Sequence, residues 1–188
     1  MKRLPRETYD RIDREVYSIH IDYNIRSFPV DEKWLAGEMR FKLIPYSALP
    51  EAKRKSMLDI VQTGIHYCDK SQGYPVYVIV YNDDTEPGRA KLTVFHEIAH
   101  IVLGHGSDPT EEEEAEADYF AKQLAVPRCL LRLREHLTAT EIHDKYGLSW
   151  EAAGYSADSV TMTFLSHGKE IFDNDREYIE WVRGWSPS

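Results

Sequence analysis

Helices grouped around one small sheet, an α+β arrangement, are what this sequence predicts, and three observations carry the prediction. Val76-Tyr77-Val78-Ile79-Val80-Tyr81 is an unbroken β-branched and aromatic run, closed by Asn82-Asp83-Asp84. Elsewhere apolar residues recur at helical spacing, as in Tyr9, Ile12, Val16 and Ile19. The 188 residues, 42% of them hydrophobic, suffice to bury a real core in one domain, or one domain with a short extension.

The first helix is expected over Glu7 to about Ile25, before Pro29 breaks the chain. Asp31–Met39 follows as a short helix, with Asp31 as its cap and Val30, Trp34 and Leu35 as its apolar residues. Phe41–Tyr46 reads as a strand weakened by Pro45. Glu51–Gly64 carries Met57, Leu58 and Val61 in helical register. After the Val76–Tyr81 strand, Pro87-Gly88 marks a turn, and Leu92–Leu103 reads as a helix closed by Gly104. An acid-rich helix runs from about Pro109 to Val126 and stops at Pro127. The remainder reads as wholly helical, with separable elements at Leu137–Tyr146, Ser149–Leu165 and Asn174–Trp185. A division at Pro127 is expected: a main domain over residues 1–127 and a helical C-terminal extension, 128–188, packed on it.

Thirty-two acids against 23 bases give a formal net charge of −9, so a bulk electrostatic grip on nucleic acid or an anionic membrane is not expected. No run approaches the roughly 18 apolar residues of a membrane span. Met1-Lys2-Arg3-Leu4-Pro5 enters charge with no apolar stretch behind it, so a cytoplasmic location is expected. Cys68 and Cys129 form no CxxC pair and read as ordinary reduced thiols. His66 lies two residues before Cys68, but a lone HxC pair is weak evidence for a metal.

The chemistry concentrates at His96-Glu97-Ile98-Ala99-His100. Residues four apart on a helix share a face, so both imidazoles reach one ion, and the glutamate beside the first meets a water on that ion. This is the HExxH arrangement of two zinc ligands and a general base. Chance alone would produce it in about three chains of this make-up in a hundred. Its setting lowers that further, because Leu92, Phe95, Ala99, Val102 and Leu103 supply an apolar helical register directly after a strong strand.

A catalytic zinc needs a third protein ligand. His105 is not the first choice: the HExxHxxGxxH pattern requires Gly at 103 and His at 106, where this chain has Leu103 and Gly106. Five residues beyond His100, a helical His105 would also point well off the ligand face, and it reads as a solvated or dipole-facing group at the helix end. The acidic helix offers Glu111 to Glu114, Glu116 and Asp118. Its start is capped either by Asp108 with Pro109 and Glu111, or by Thr110 with Glu113. Glu114 is the first choice as ligand, because Asp118 follows four residues later on the same face, placed to hold a ligand histidine's second nitrogen. Glu113 and Glu116 are the alternatives. Ala117, Ala121 and Ala125 would let this helix lie close against the HExxH helix.

These residues carry a family resemblance. His96-Glu97-Ile98-Ala99-His100-Ile101-Val102-Leu103-Gly104-His105, then Glu114-Ala115-Glu116-Ala117-Asp118-Tyr119-Phe120-Ala121 and Leu124-Ala125-Val126-Pro127, resemble the ImmA/IrrE family of zinc metallopeptidases of bacteria and their mobile elements. The family's usual pattern is HExGHxxLGH followed by ExEANxFAxxLLMP. Here Ala99 stands where Gly is frequent, Asp118 where Asn is frequent, and Ala125-Val126 in place of Leu-Met. The resemblance is specific over about residues 76–127. It implies a zincin-like fold, one Zn2+ on His96, His100 and Glu114, and Glu97 as the catalytic base. Manganese is a possible substitute, since such donors discriminate weakly among divalent ions. It further implies an endopeptidase whose protein substrate is a helix-turn-helix repressor of a mobile element or stress response. The alternative is a non-catalytic anti-repressor that sequesters its partner.

Four further expectations concern the surroundings. An oxyanion donor is needed, for which His105, Tyr119, His136, His143 and Tyr155 are candidates. By the same resemblance the Val76–Tyr81 strand pairs with an extended substrate, with an interior position as the equal alternative. Thr138 to Leu165 has the outline of a helix-turn-helix, but Ser149–Leu165 carries Glu151 and Asp158 and no Arg or Lys, so a helical pair packed on the core is favoured over DNA reading. Tyr178, Trp181, Val182 and Trp185 on the final helix are expected to dock on the core, with a partner patch as the alternative.

Overall fold

The computed structural model describes residues 3–134, 137–167 and 171–184. Helices α1 (Arg6–Asp22) and α2 (Glu32–Glu38) precede strand β1 (Lys42–Pro45) and a single 3-10 turn at Tyr46–Ala48. Helix α3 (Glu51–Ile60) leads to strands β2 (Gly64–Asp69) and β3 (Val76–Tyr81). Six helices follow: α4 (Pro87–Leu103), α5 (Glu111–Ala125), α6 (Arg128–Arg132), α7 (Ala139–Tyr146), α8 (Trp150–His167) and α9 (Asp173–Arg183). The α+β expectation holds, with a sheet of three strands among the described residues.

The sheet order is β1-β3-β2. Ile79 of β3 lies opposite Leu43 of parallel β1 on one side and His66 of antiparallel β2 on the other. Both edges of β3 are therefore occupied, and the expectation that this strand adds an extended substrate is corrected to the interior alternative. Its unbroken apolar sequence has the same cause, since Val78, Ile79, Val80 and Tyr81 are all buried. The expected helix over Glu51–Gly64 ends at Ile60, and Gly64 instead opens β2. A Cβ on Gly64 would stand 2.7 Å from Thr93 Cγ2, so a larger residue there would have to push the Thr93 methyl aside where the strand approaches α4.

Helix α4 buries Val94, Phe95, Ile98 and Ala99 against Ala117, Phe120, Ala121 and Leu124 of α5. The small residues at 117, 121 and 125 are buried, which lets two helices bearing charged groups pack closely. The same core continues beyond Pro127 through Leu131, Ile142, Leu148, Ala153, Tyr178 and Ile179. Helix α7 opens on a capping box between Thr138 and Glu141 and closes on left-handed Gly147. Trp181 packs on the core under the Arg26 guanidinium, 3.8 Å from its ring centroid, while Trp185 lies outside the described residues. Among the described residues no helix is long and apolar enough to cross a membrane.

Candidate metal centre

His96 and His100 project from successive turns of α4, and Glu114 meets them from α5. Their nearest donor atoms all lie within 4.8 Å of one another. The two Nε2 atoms are 2.9 Å apart; Glu114 Oε2 is 3.3 Å from His96 Nε2, and Oε1 is 3.7 Å from His100 Nε2. These separations bracket the roughly 3.3 Å between two donors on a tetrahedral zinc with bonds of about 2.05 Å. Two imidazole nitrogens and one carboxylate oxygen also match zinc's preferred donors, so the residues fit a catalytic ion with one position left open.

The neighbouring acids are engaged elsewhere. Thr110 caps α5, and the Glu113 carboxylate accepts from its backbone N–H at 2.7 Å. Glu116 Oε2 accepts from Arg11 at 2.6 Å and faces His105 Nε2 at 3.3 Å. Asp118 Oδ1 accepts from His96 Nδ1 at 3.1 Å, which directs the other nitrogen of that ring toward His100 and Glu114. Burial opposes charging His96, but the Asp118 carboxylate, together with Glu97 and Glu114, outweighs it and the ring's pKa is raised. Burial opposes ionising Asp118 in turn, and the His96 bond lowers its pKa nonetheless. For His100, burial and then the neighbouring His96 bring the pKa down to about 4. A ring held neutral in this way keeps its lone pair for an ion.

Glu97 is buried between β2 and the centre, where its Oε2 accepts from His66 Nδ1 at 2.7 Å. Sequence reasoning set His66 aside as half of a weak HxC pair; Cys68 is in fact exposed and its partnership with His66 is only one of sequence. The signal lay in the missed strand. Ile65 and Tyr67 flank His66 in alternation, and Lys70-Ser71-Gln72-Gly73 follows as a turn before β3, which together outline a hairpin.

A groove of about 410 Å³ runs beside the centre, lined by His96, Glu97, Glu114 and Asp118 and flanked by Arg89, Lys122 and Tyr155. Of the expected oxyanion donors, Tyr155 is thus on the groove. Tyr119 is turned away and donates to Asp13 at 2.8 Å, because it lies on the buried α1-facing side of α5. His143 donates to the Leu148 carbonyl at 2.7 Å and stacks on Trp150. His136 lies outside the described residues. The expectation that His105 is a solvated or dipole-facing group is corrected: the residue is enclosed against His100. Its side chain is 5% exposed and its Nδ1 is 2.8 Å from His100 Nδ1.

An α+β scaffold that gathers HExxH and a downstream glutamate at one point beside an open groove has the architecture of a metallopeptidase. The model of the IrrE N-terminal-like domain, Peptidase M78, matches residues 57–158, from α3 through Pro127 into α8. The chain belongs to this ImmA/IrrE family of metallopeptidases. No curated protein and no solved structure shows significant similarity to it.

Proposed function

We propose that the protein is a zinc-dependent endopeptidase of zincin type, with His96, His100 and Glu114 holding the ion and Glu97 as the catalytic base. The observation that carries the reading is the convergence of those three donors within 4.8 Å beside the buried Glu97 carboxylate. When bound, zinc supplies a Lewis acid that activates water and polarises a scissile carbonyl; nothing in the donor set favours manganese. Glu97 takes the proton of the attacking water and passes it to the leaving amine. His66 donates to Oε2 of the Glu97 carboxylate and holds its orientation. Tyr155, on the groove wall, is the described candidate for donating to the developing oxyanion. An extended substrate has edge strand β2 available for pairing, with its groups then crossing the groove between Arg89 and Lys122. Family membership supports a protein substrate of the helix-turn-helix repressor class.

The test compares wild type with Glu97→Gln, both analysed for bound metal and both expressed in cells whose new protein N-termini are catalogued by mass spectrometry. Stoichiometric zinc in both, with new termini only in wild type, is expected. Identical termini in the two would favour sequestration of a partner without cleavage. Absence of zinc after dialysis against it would overturn the reading.

A further inference from the structure

We infer that His105 is a positioning residue for His100, backed by Glu116 and Arg11, so that the metal centre is braced through a four-residue chain to helix α1. The inference rests on the reading that His100 is a metal ligand.

The local fold makes the contact. Gly104 adopts the left-handed conformation, with φ of 73°, and reverses the chain at the end of α4. The His105 backbone N–H then donates to the His100 carbonyl at 3.0 Å, so the His105 ring lies beside that of His100. The ring centroids are 5.0 Å apart and nearly perpendicular, at 70°. This is why helical geometry misplaced the residue: His105 is no longer on the helix.

One proton assignment satisfies every group in the chain. With His100 Nε2 facing Glu114 and the ion, its proton sits on Nδ1 and is donated to His105 Nδ1, 2.8 Å away. His105 therefore carries its own proton on Nε2, which faces Glu116 Oε2 at 3.3 Å. The same oxygen accepts from Arg11 at 2.6 Å. Each ligand histidine thus has its non-ligating nitrogen occupied, His96 by the carboxylate of Asp118 and His100 by a neutral imidazole. Acceptors in this position fix the ring's tautomer and orientation, and their loss typically weakens metal binding by about 10–100-fold.

The experiment measures zinc affinity of the full chain by competition with a chromophoric chelator. His105→Phe, His105→Gln, Glu116→Gln and Arg11→Ala are compared with wild type, and the ligand variant Glu114→Ala sets the scale. Metal-free thermal stability is recorded for each, and cobalt(II) is substituted to read the ligand set from its visible spectrum. His105→Phe is expected to bind zinc about 10–100-fold more weakly with an unchanged cobalt spectrum. His105→Gln, whose amide still accepts and donates, is expected to recover most of that loss, and Glu116→Gln and Arg11→Ala to lose progressively less. Wild-type affinity in His105→Phe overturns the inference. So does an equal loss in the Phe and Gln variants, which would mark a packing role. A loss matching Glu114→Ala with an altered cobalt spectrum makes His105 a ligand and overturns it too. Failure of wild type itself to bind zinc would overturn the function proposed above, and this inference with it.

Discussion

His66 Nδ1 stands 2.7 Å from Glu97 Oε2, so one hydrogen bond ties edge strand β2 to the helix that carries the proposed catalytic carboxylate. The pair is largely enclosed, and removing one partner leaves the other with an unmet polar group in a confined space. For His66→Phe we expect kcat to fall about 10–100-fold with KM nearly unchanged, the size of effect that small misplacements of a reacting group produce. His66→Asn should restore part of the rate. Steady-state kinetics on the protein substrate found by the terminal cataloguing checks this, and a change confined to KM would refute it.

Adjacent glutamates on α5 have separable roles. Glu113 closes the capping box with Thr110, whereas Glu114 turns to the two histidines. Thr110→Ala should destabilise the fold by about 1 kcal/mol, a melting shift of about 2–4 °C for a chain of this length, with zinc content unchanged. Glu114→Ala should do the reverse, losing zinc while the metal-free protein melts as wild type does, since the Glu114 side chain is half exposed. Elemental analysis beside calorimetry distinguishes them. A Glu114→Ala protein that keeps its zinc, or a Thr110→Ala protein that loses it, would refute this division of roles.

How far the sequence revealed this arrangement depends on the range of the forces involved. The central strand was legible to the residue, because it pairs on both sides and buries Val78, Ile79, Val80 and Tyr81 in succession, which demands an unbroken apolar run there. Helix ends at Asp31, Gly104 and Gly147 were legible because capping is local chemistry. Strand β2 was not. It borders the sheet and pairs on one side only, so His66, Cys68 and Asp69 need not be apolar, and Met57 to Val61 extended the preceding helical register over its start. Within the site, the local pair His96 and His100 followed from helical period, and Glu114 from its spacing to Asp118. The contacts of His66, His105 and Arg11 span 31, 5 and 105 residues of sequence, and that of His105 depends on one left-handed glycine. No periodic pattern encodes those.

Gly88 marks where α4 meets the turn between α7 and α8. A Cβ there would lie 2.5 Å from Ser149 N and 2.6 Å from Leu148 C, and both are backbone atoms that no side-chain rotation can relieve. Gly88→Ala is therefore expected to destabilise the protein by about 1–3 kcal/mol, or more if the turn resists, by forcing the helices apart. Gly37→Ala is the control, since its added methyl meets nothing within 4 Å. Urea denaturation of the two variants reads the difference. Equal midpoints would show that the α7–α8 pair is not seated on α4 as described.

Two buried groups on α1 give the stability an opposed pH dependence. His20 accepts from Tyr178 at Nδ1 and donates to the Leu124 carbonyl from Nε2, and burial brings its pKa from 6.5 down to about 4. Unfolded chains bind that proton below about pH 6.5 and the fold does not, so stability falls by up to about 3 kcal/mol as pH drops toward 4. Asp13 works the other way. Burial raises its pKa from 3.8 to about 6 despite the Tyr119 hydrogen bond, so the fold holds the proton that the unfolded chain releases. Its contribution is present below about pH 4 and is lost by about 3 kcal/mol as pH rises through 6. Between pH 4 and 6 the two slopes cancel in wild type. Asp13→Asn should therefore gain about 3 kcal/mol relative to wild type between pH 4 and 7. For His20→Gln, the deficit against wild type should shrink by a similar amount as pH falls from 7 to 4. Taking differences between variants removes contributions common to all of them, His100 included. Urea titrations at unit steps of pH supply the curves, and variants that run parallel to wild type would show that neither group titrates in the fold as assigned.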